Sequence, residues 1–231
     1  MKIFSLITYL LFAIGVMIGH AIEVPLIVYV CKPMLMLMLF FYLFWSCFRM
    51  WLDEESTLAF ALLGAWVGDV CLMFNHEKLF LVGVGGFFVM QTLYISLFQR
   101  TGDRTAKGIV QRYPYAGIPF LLILGAMLWL LLPAMPDDWI LRIALFVYGW
   151  SLILMVLATL NRGGRVPTDS FWFVFIGAFM FMVSDMFIAF NQFYAPIPHA
   201  SIIIMSLYMP AQLLITEGFV RQQQKGVRPV P

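Results

Sequence analysis

Long apolar runs constrain this chain more than any other feature. Eight of them, each near the length needed to cross a bilayer, follow one another through the 231 residues with short polar breaks between them. A spanning helix needs about 20 apolar residues. The chain is 63% hydrophobic and 11% charged, whereas a soluble domain carries about a quarter charged residues. The runs are also too long for barrel strands and show no alternation.

The sequence therefore predicts an all-α fold, a polytopic membrane bundle of eight transmembrane helices. The predicted spans cover residues 3–22, 32–50, 57–75, 79–98, 115–132, 139–160, 171–191 and 199–219.

No linker divides the chain, so we expect one transmembrane domain over residues 1–220 and a basic cytoplasmic tail over residues 221–231. The net charge of +2 is too small to suggest a nucleic-acid partner. Cys31, Cys47 and Cys71 lie in or beside apolar runs and are interpreted as small apolar residues, not as disulfide or metal ligands.

The distribution of Lys and Arg predicts the orientation, because cytoplasmic loops carry an excess of both. With the N-terminus in the cytoplasm, eleven basic residues lie inside and three outside. The inside set is Lys2, Arg49, Arg100, Arg104, Lys107, Arg112, Arg162, Arg165, Arg221, Lys225 and Arg228, and the outside set is Lys32, Lys78 and Arg142. We therefore expect both termini in the cytoplasm, with the protein in a bacterial inner membrane or, in a eukaryote, the endoplasmic reticulum.

Two aspartates lie within these runs, and each is the only charged residue of its segment. An intramembrane carboxylate is costly unless it is neutral, paired or facing a cavity, and it usually marks function. Asp69 precedes Asn75 by six residues, and Asp185 precedes Asn191 by six. Both carboxyl groups are therefore expected roughly 9 Å below the outer end of their helix. Lys32 starts the second span from the same side, which predicts a shared polar pocket.

Small residues accompany both aspartates. Gly64 and Gly68 are four apart in the third span, and Gly177 and Ser184 are seven apart in the seventh. Such spacing places them on one helix face, where helices can approach closely. Since each Asp directly follows one of these residues, both are expected to border a packed interface and not open lipid.

Several motifs, in order along the chain, carry a family resemblance: Lys32-Pro33, Gly68-Asp69, Gly177-Ala178 through Ser184-Asp185, and Ala211-Gln212-Leu213-Leu214-Ile215. Together they resemble the YhhN-like lysoplasmalogenase family of eight-span membrane proteins, over nearly the whole chain. Characterised members hydrolyse the vinyl ether bond of lysoplasmalogens to a fatty aldehyde and a glycerophospho-alcohol. The resemblance thus implies an ether hydrolase that acts on a lysophospholipid within the bilayer. It departs at Gln91, where the family's fourth span usually carries His; Gln can hold water or a substrate oxygen but cannot titrate.

Two carboxyl groups suit this chemistry. Vinyl ether hydrolysis begins with proton transfer to the alkene carbon remote from oxygen, and an oxocarbenium ion follows. A protonated carboxyl group could supply the proton and an ionised one could stabilise the cation, as in glycosidases. We expect Asp69 and Asp185 to share these catalytic roles, in either order. Lys32 could bind a lipid phosphate or keep one Asp ionised.

The remaining candidates are polar residues of other spans that could orient water or substrate: Gln91, Tyr94, Tyr148, Tyr208 and Gln212. The scheme requires neither cofactor nor metal, and the sequence has no helical His pair typical of a zinc site.

Other interpretations stay open. The aspartates could form a structural hydrogen bond or an ion pair with Lys32. Paired intramembrane carboxylates also occur in proton-coupled transporters, and the chain could be a lipid-binding protein without activity. An intramembrane aspartyl protease is disfavoured, because Trp66 stands where Gly-x-Gly-Asp has its first Gly. Glu23 is either a plain loop residue or part of a pocket mouth, and His199 is expected in a loop.

Overall fold

The computed structural model describes residues 1–47, 53–74, 76–135 and 137–225. Within these residues the chain is helical, with no strand, which confirms the predicted all-α class. The helices are α1 (Lys2–Ala21), α2 (Pro25–Cys47), α3 (Asp53–Cys71), α4 (Glu77–Arg100), the short α5 (Ile109–Arg112), α6 (Ile118–Leu131), α7 (Trp139–Leu160), α8 (Thr168–Phe193) and α9 (Ala200–Gln224). Turns of 3₁₀-helix at Pro114–Gly117 and Leu132–Ala134 extend α6 at both ends.

Seven segments of the described chain are long and apolar enough to cross a membrane, and α3 is the long helix outside this set. The reason is its first turn, which consists of Asp53, Glu54 and Glu55, in addition to Asp69 near its other end. Acidic residues are favoured there by the positive end of the helix dipole. Because α3 packs against both α2 and α4, the result is consistent with the predicted eight-helix bundle. The protein is thus an integral, multi-pass membrane protein.

The start of α2 differs from the prediction. The helix begins at Pro25 and not at residue 32, so Lys32-Pro33 lies inside the helix instead of opening it. Proline costs nothing at a first helical position, where no backbone donor is needed, and Pro25 satisfies that rule. Lys32 consequently projects from within α2, deeper in the bundle than expected.

The ends of α3 and α8 also differ from expectation. Cys71 ends α3 two residues beyond Asp69, whereas α8 continues to Phe193, eight residues beyond Asp185. The predicted equal distance of the two carboxyl groups from their helix ends is therefore wrong. The predicted third span, residues 57–75, was defined by apolar composition. The helix instead starts at Asp53, in the acidic triplet, and ends at Cys71.

Some predicted features lie partly outside the described residues. Arg49, Asn75 and residues 226–231 of the tail are not among them. The predicted boundary at residue 220 falls within α9, which continues to Gln224.

Close backbone contacts at small residues join the helices in pairs, as predicted. A Cβ atom on Gly86 of α4 would stand 2.8 Å from both Gly64 O and Gly68 N of α3, so these two backbones touch. In the second pair, a Cβ on Gly177 would meet Ala211 O at 2.8 Å. Ser184 Oγ donates to Ile204 O at 3.1 Å, which adds a hydrogen bond between α8 and α9.

A buried arginine closes the end of the bundle that holds the α7–α8 connection. Arg162 is fully buried, and its Nη2 donates to Ser170 Oγ at 3.0 Å and to Gln222 Oε1. The guanidinium lies 5.1 Å from the ring centre of Phe98, a cation–π contact. These contacts tie α4, α8 and α9 together at the predicted cytoplasmic end.

The α3–α4 contact can be tested with neighbouring glycines. Gly86→Ala should lower the free energy of unfolding by about 1–3 kcal/mol, because the new methyl group would overlap backbone atoms that cannot yield. Gly85→Ala is the matched control, since a Cβ there meets nothing within 4 Å. Thermal unfolding of the detergent-purified proteins measures both. Equal melting temperatures for the two variants would contradict the close contact.

Candidate active site

Asp69 lies at the centre of one polar cluster, built by three helices. Its carboxylate is 1% exposed. Lys32 Nζ, from α2, lies 3.6 Å from Asp69 Oδ1. Tyr208, from α9, donates its hydroxyl to Asp69 Oδ2 at 2.6 Å. The burial of Asp69 agrees with the prediction that it borders a packed interface and not open lipid, and its carboxylate is paired with an ammonium group.

The Tyr208 ring is fixed by two phenylalanines. Its centroid is 5.8 Å from that of Phe87 on α4 and 5.9 Å from that of Phe181 on α8. The Phe87 and Phe181 rings are themselves 6.0 Å apart, edge to face. Aromatic pairs at this spacing are mutually favourable, so the hydroxyl that contacts Asp69 is held on a rigid ring.

Asp185 lies in a second cluster, with different partners. Tyr148 of α7 donates its hydroxyl to Asp185 Oδ2, and Gln91 Nε2 of α4 lies 3.5 Å from the same oxygen. Ser151 of α7 in turn donates to Gln91 Oε1. Among the described residues no basic side chain forms an ion pair with Asp185. The two aspartates thus differ in charge environment: Asp69 faces a cation, and Asp185 faces neutral donors.

Tyr94 and Gln212 form a third group. Both are fully buried or nearly so, and Tyr94 OH donates to Gln212 Oε1 at 2.7 Å. Gln212 Nε2 lies 3.1 Å from Met90 Sδ, also on α4. No hydrogen bond joins this pair to either aspartate within the described chain. The eight residues singled out from the sequence therefore divide into Lys32–Asp69–Tyr208, Gln91–Tyr148–Asp185 and Tyr94–Gln212.

A large cavity opens at one end of the bundle, where the α1–α2, α3–α4 and α8–α9 connections meet. Its volume is about 680 Å³. Lys32 lines it, together with the ionisable residues His20, Glu23 and His199. We call this cavity the vestibule. Asp69 is not among its lining residues, so Lys32 stands between the vestibule and the Asp69 carboxylate.

Two smaller cavities reach Asp185 from the side of the bundle. One lies among α4, α7 and α8 and the other among α6, α7 and α8, and each holds about 60 Å³. Both are lined by Asp185, Tyr148 and apolar side chains. We call them the lateral cavities.

The vestibule and the first lateral cavity share three lining residues, Leu72, Phe80 and Ile188. Leu72 stands three residues after Asp69, and Ile188 stands three residues after Asp185. Ile188 therefore lies on the same face of α8 as Asp185, and Leu72 lies in the turn that directly follows α3, where its N–H still donates to Gly68 O at 3.0 Å. The polar vestibule and the apolar lateral cavity therefore adjoin about one helical turn from the carboxyl-bearing positions.

The sequence did not reveal two residues of this region. Ser151 binds Gln91, and its position three residues after Tyr148 on the same helix face could have indicated it. Tyr9 of α1 is buried and donates to Met209 O at 2.7 Å, one residue from Tyr208. A tyrosine in an apolar run carries no signal that separates it from an interface anchor.

No group of three His, Cys, Asp or Glu side chains in the described ranges comes together as a metal site.

Comparison with known proteins agrees with this architecture. The model of the YhhN family matches residues 27–219. The chain is 35% identical over 162 residues to a protein of Sus scrofa named lysoplasmalogenase TMEM86B, a match that covers 70% of this chain and 62% of that protein. It is 34% identical over 163 residues to Homo sapiens lysoplasmalogenase TMEM86B, with 70% and 62% covered. Bos taurus lysoplasmalogenase TMEM86A is 25% identical over 203 residues, with 84% of this chain and 78% of that protein covered.

The match thus spans a little under two thirds of the two TMEM86B proteins, at 62%. No solved structure matches the chain.

The Lys32–Asp69 pair can be tested by a double-mutant cycle. Lys32→Met should destabilise the protein by about 3–5 kcal/mol, because it leaves a buried carboxylate without its partner. Adding Asp69→Asn to this variant should restore much of the lost stability, because no charged group of the pair is then left without a partner. Thermal unfolding in detergent measures all four proteins. If the double variant loses the sum of the two single losses, the residues are not coupled.

Proposed function

Because this chain belongs to the YhhN family, we propose that it is a membrane-embedded ether hydrolase that cleaves the vinyl ether bond of lysoplasmalogens. The products are a fatty aldehyde and a glycerophospho-alcohol. The observation that carries the proposal is the placement of two unlike carboxyl groups where a polar vestibule adjoins an apolar lateral cavity.

The shape of the site matches the polarity of such a substrate. A lysoplasmalogen has a charged headgroup, a glycerol and one hydrocarbon chain, and the vinyl ether joins glycerol to chain. In our proposal the headgroup lies in the vestibule and the first carbons of the chain lie in the lateral cavity, which is lined by apolar residues such as Leu81 and Leu145, while the rest of the chain extends into the bilayer. The vinyl ether then lies near Leu72 and Ile188, about one turn from Asp69 and Asp185. The substrate enters from the bilayer in which it is already dissolved.

Of the two aspartates we assign the proton donor as Asp185. An unpaired ionised carboxylate is very costly in an apolar site, so the group is held neutral instead. Asp185 meets that condition, because its polar neighbours are neutral and it lines cavities with apolar walls. Tyr148 and Gln91 both contact Oδ2, which leaves Oδ1 to carry the proton.

The reaction then proceeds in three steps. Asp185 transfers its proton to the alkene carbon remote from oxygen, and the π electrons form the new C–H bond. The positive charge that develops on the carbon–oxygen unit is balanced by the new Asp185 carboxylate. Water adds to the cationic carbon and returns a proton to Asp185. The hemiacetal formed collapses by C–O cleavage, its hydroxyl proton moving to the glycerol oxygen.

Asp69 has a different part in this scheme. It is buried behind Lys32, pairs with that ammonium group and accepts a hydrogen bond from Tyr208, so we assign it the ionised form and the positioning of these two groups. Lys32, which lines the vestibule, is left to face the lipid phosphate. Tyr94 and Gln212 lie apart from both carboxyl groups. We propose that their hydrogen bond stabilises the contact between α4 and α9 near Tyr208.

We further propose that both termini face the cytoplasm and that the vestibule opens on the opposite side. The eleven-to-three bias of basic residues supports this orientation. A bacterial inner membrane and the endoplasmic reticulum both accommodate it.

Asp185→Asn should abolish most of the hydrolysis. Asparagine keeps the shape of the side chain but has no acidic proton, and general acids contribute about 10²–10⁴-fold. The measurement is aldehyde release from lysoplasmenyl-ethanolamine by purified protein. Asp169→Asn is the matched control: the residue lies on the same helix at the other end of the bundle, where it pairs with Lys225 at 2.8 Å, and its replacement should leave the rate within twofold. Full activity of Asp185→Asn would refute the assignment.

A proton-coupled transporter would behave differently. It would move solute into reconstituted vesicles without forming aldehyde, and its uptake would be the property lost in Asp185→Asn.

Gln91 can be tested through its hydrogen bond to Asp185. Gln91→Leu should slow aldehyde release about tenfold, since one donor to the carboxyl group is lost while the volume is kept. Gln91→His should retain activity within about threefold, because an imidazole N–H can donate to the same oxygen. The rates of the two variants are compared on one substrate. If leucine and histidine are equally active, Gln91 does not act through Asp185.

A further inference from the structure

The vestibule carries ionisable side chains that the proposed hydrolysis does not use. Glu23 lies in the α1–α2 connection, His199 immediately precedes α9, and His20 is in the last turn of α1. Within the described chain, the side chains of these three residues form neither an ion pair nor a hydrogen bond. They are open to a ligand in the vestibule.

Backbone strain is concentrated at two of these residues. Glu23 has φ 55° and His199 has φ 54°, and these are the only described non-glycine residues with positive φ. The left-handed region is uncommon for residues other than Gly, and least so for Asn, Asp and His, and strained backbone collects at ligand-binding positions. Both strained residues are ionisable and both line the vestibule.

The two walls of the vestibule differ in chemistry. The α1–α2 wall contributes the Glu23 carboxylate at the connection, and two basic side chains, His20 of α1 and Lys32 within α2. The α8–α9 wall contributes hydrogen-bond donors, namely His199, Gln192, Ser201 and Asn191, whose Oδ1 is already occupied by Ile197 N at 2.8 Å so that its NH₂ group is left to donate. Each wall contains one helix C-terminus and one N-terminus, so helix dipoles largely cancel and the side chains set the polarity.

We propose that the vestibule binds a phosphoethanolamine headgroup in one orientation, with the ammonium group at Glu23 and the phosphate between Lys32 and the His199 wall. This inference rests on the proposed function for its substrate class and adds the headgroup that the site selects. A carboxylate facing a wall of donors is complementary to a zwitterion whose two charges are two methylene groups apart.

Glu23 favours a primary ammonium over a quaternary one. A primary ammonium donates three hydrogen bonds and a carboxylate accepts them, whereas choline has no N–H to donate. Quaternary ammonium is recognised instead by free aromatic faces. The aromatic side chains that line the vestibule within the described chain, Tyr29 and Phe80, already pack on other rings: Tyr29 stacks on Phe74 at 5.9 Å, and Phe80 meets Phe193 at 6.2 Å.

The test compares hydrolysis of lysoplasmenyl-ethanolamine and lysoplasmenyl-choline by the full-length protein. The wild type should prefer the ethanolamine lipid about tenfold in kcat/KM, which is the effect expected of one charge-assisted hydrogen bond at a partly exposed site. Glu23→Gln should bring the ratio close to one by slowing only the ethanolamine lipid. Asp137→Asn is the matched control, because Asp137 is an exposed acid at the same end of the bundle that does not line the vestibule; its ratio should equal that of the wild type.

Two further variants keep the test decisive. Glu23→Asn also removes the charge, and Asn tolerates positive φ, so it replaces Gln if that variant fails to fold. His199→Gly should raise KM for both lipids by the same factor and leave the ratio unchanged. A ratio unaffected by loss of Glu23, or one changed by His199→Gly, overturns the proposed orientation.

Binding of the soluble headgroup separates this inference from the proposed hydrolysis. Glycerophosphoethanolamine, glycerophosphocholine and inorganic phosphate are titrated into the detergent-purified protein. Tighter binding of glycerophosphoethanolamine that is lost in Glu23→Gln supports the headgroup site even if no aldehyde is released from either lipid, in which case only the hydrolysis fails. Equal binding of inorganic phosphate and both glycerophospho-compounds, independent of Glu23, overturns the headgroup site while aldehyde release still tests the hydrolysis.

Discussion

The bundle must keep two carboxyl groups out of lipid, and the contacts that achieve this connect most of its helices. Asp69 on α3 binds Lys32 of α2 and Tyr208 of α9. Asp185 on α8 binds Gln91 of α4 and Tyr148 of α7. In hydrocarbon no water is available to replace a lost partner, so each of these helices must keep its position relative to the aspartates. The same contacts that satisfy the carboxyl groups therefore fix the geometry of the candidate site.

The small residues make that arrangement possible. Gly64, Gly68 and Gly86 bring the backbones of α3 and α4 into contact, and Gly177 does the same for α8 and α9. Helices this close leave Phe87 and Phe181 to fill the space around Tyr208. A hydroxyl on a tightly packed ring has little freedom to leave Asp69, which preserves the difference in charge environment between the two aspartates.

Much of this was predictable from the sequence, for physical reasons that also explain the failures. Charge within an apolar run is costly, so Asp69 and Asp185 had to face the interior, and small residues beside them had to mark close contacts. The start of α2 was missed because hydropathy does not distinguish a helix from the apolar connection before it; the proline at position 25, and not Pro33, was the boundary signal. The eight candidate residues separate into three groups because of how each helix is rotated about its axis and which helices are its neighbours. A pattern in one sequence contains neither kind of information. Tyr9, on a helix without another buried polar partner near the site, could be found only in three dimensions.

The junction formed by Leu72, Phe80 and Ile188 has a consequence for turnover. Cleavage at such a boundary would divide the substrate into one product that prefers water and one that prefers hydrocarbon. In the proposed reaction the glycerophospho-alcohol would diffuse out through the wide vestibule, while the aldehyde would enter the membrane from the side of the bundle. Because the two products would leave by different routes, release of one would not depend on release of the other. Water would take up the polar product and the bilayer would take up the apolar one.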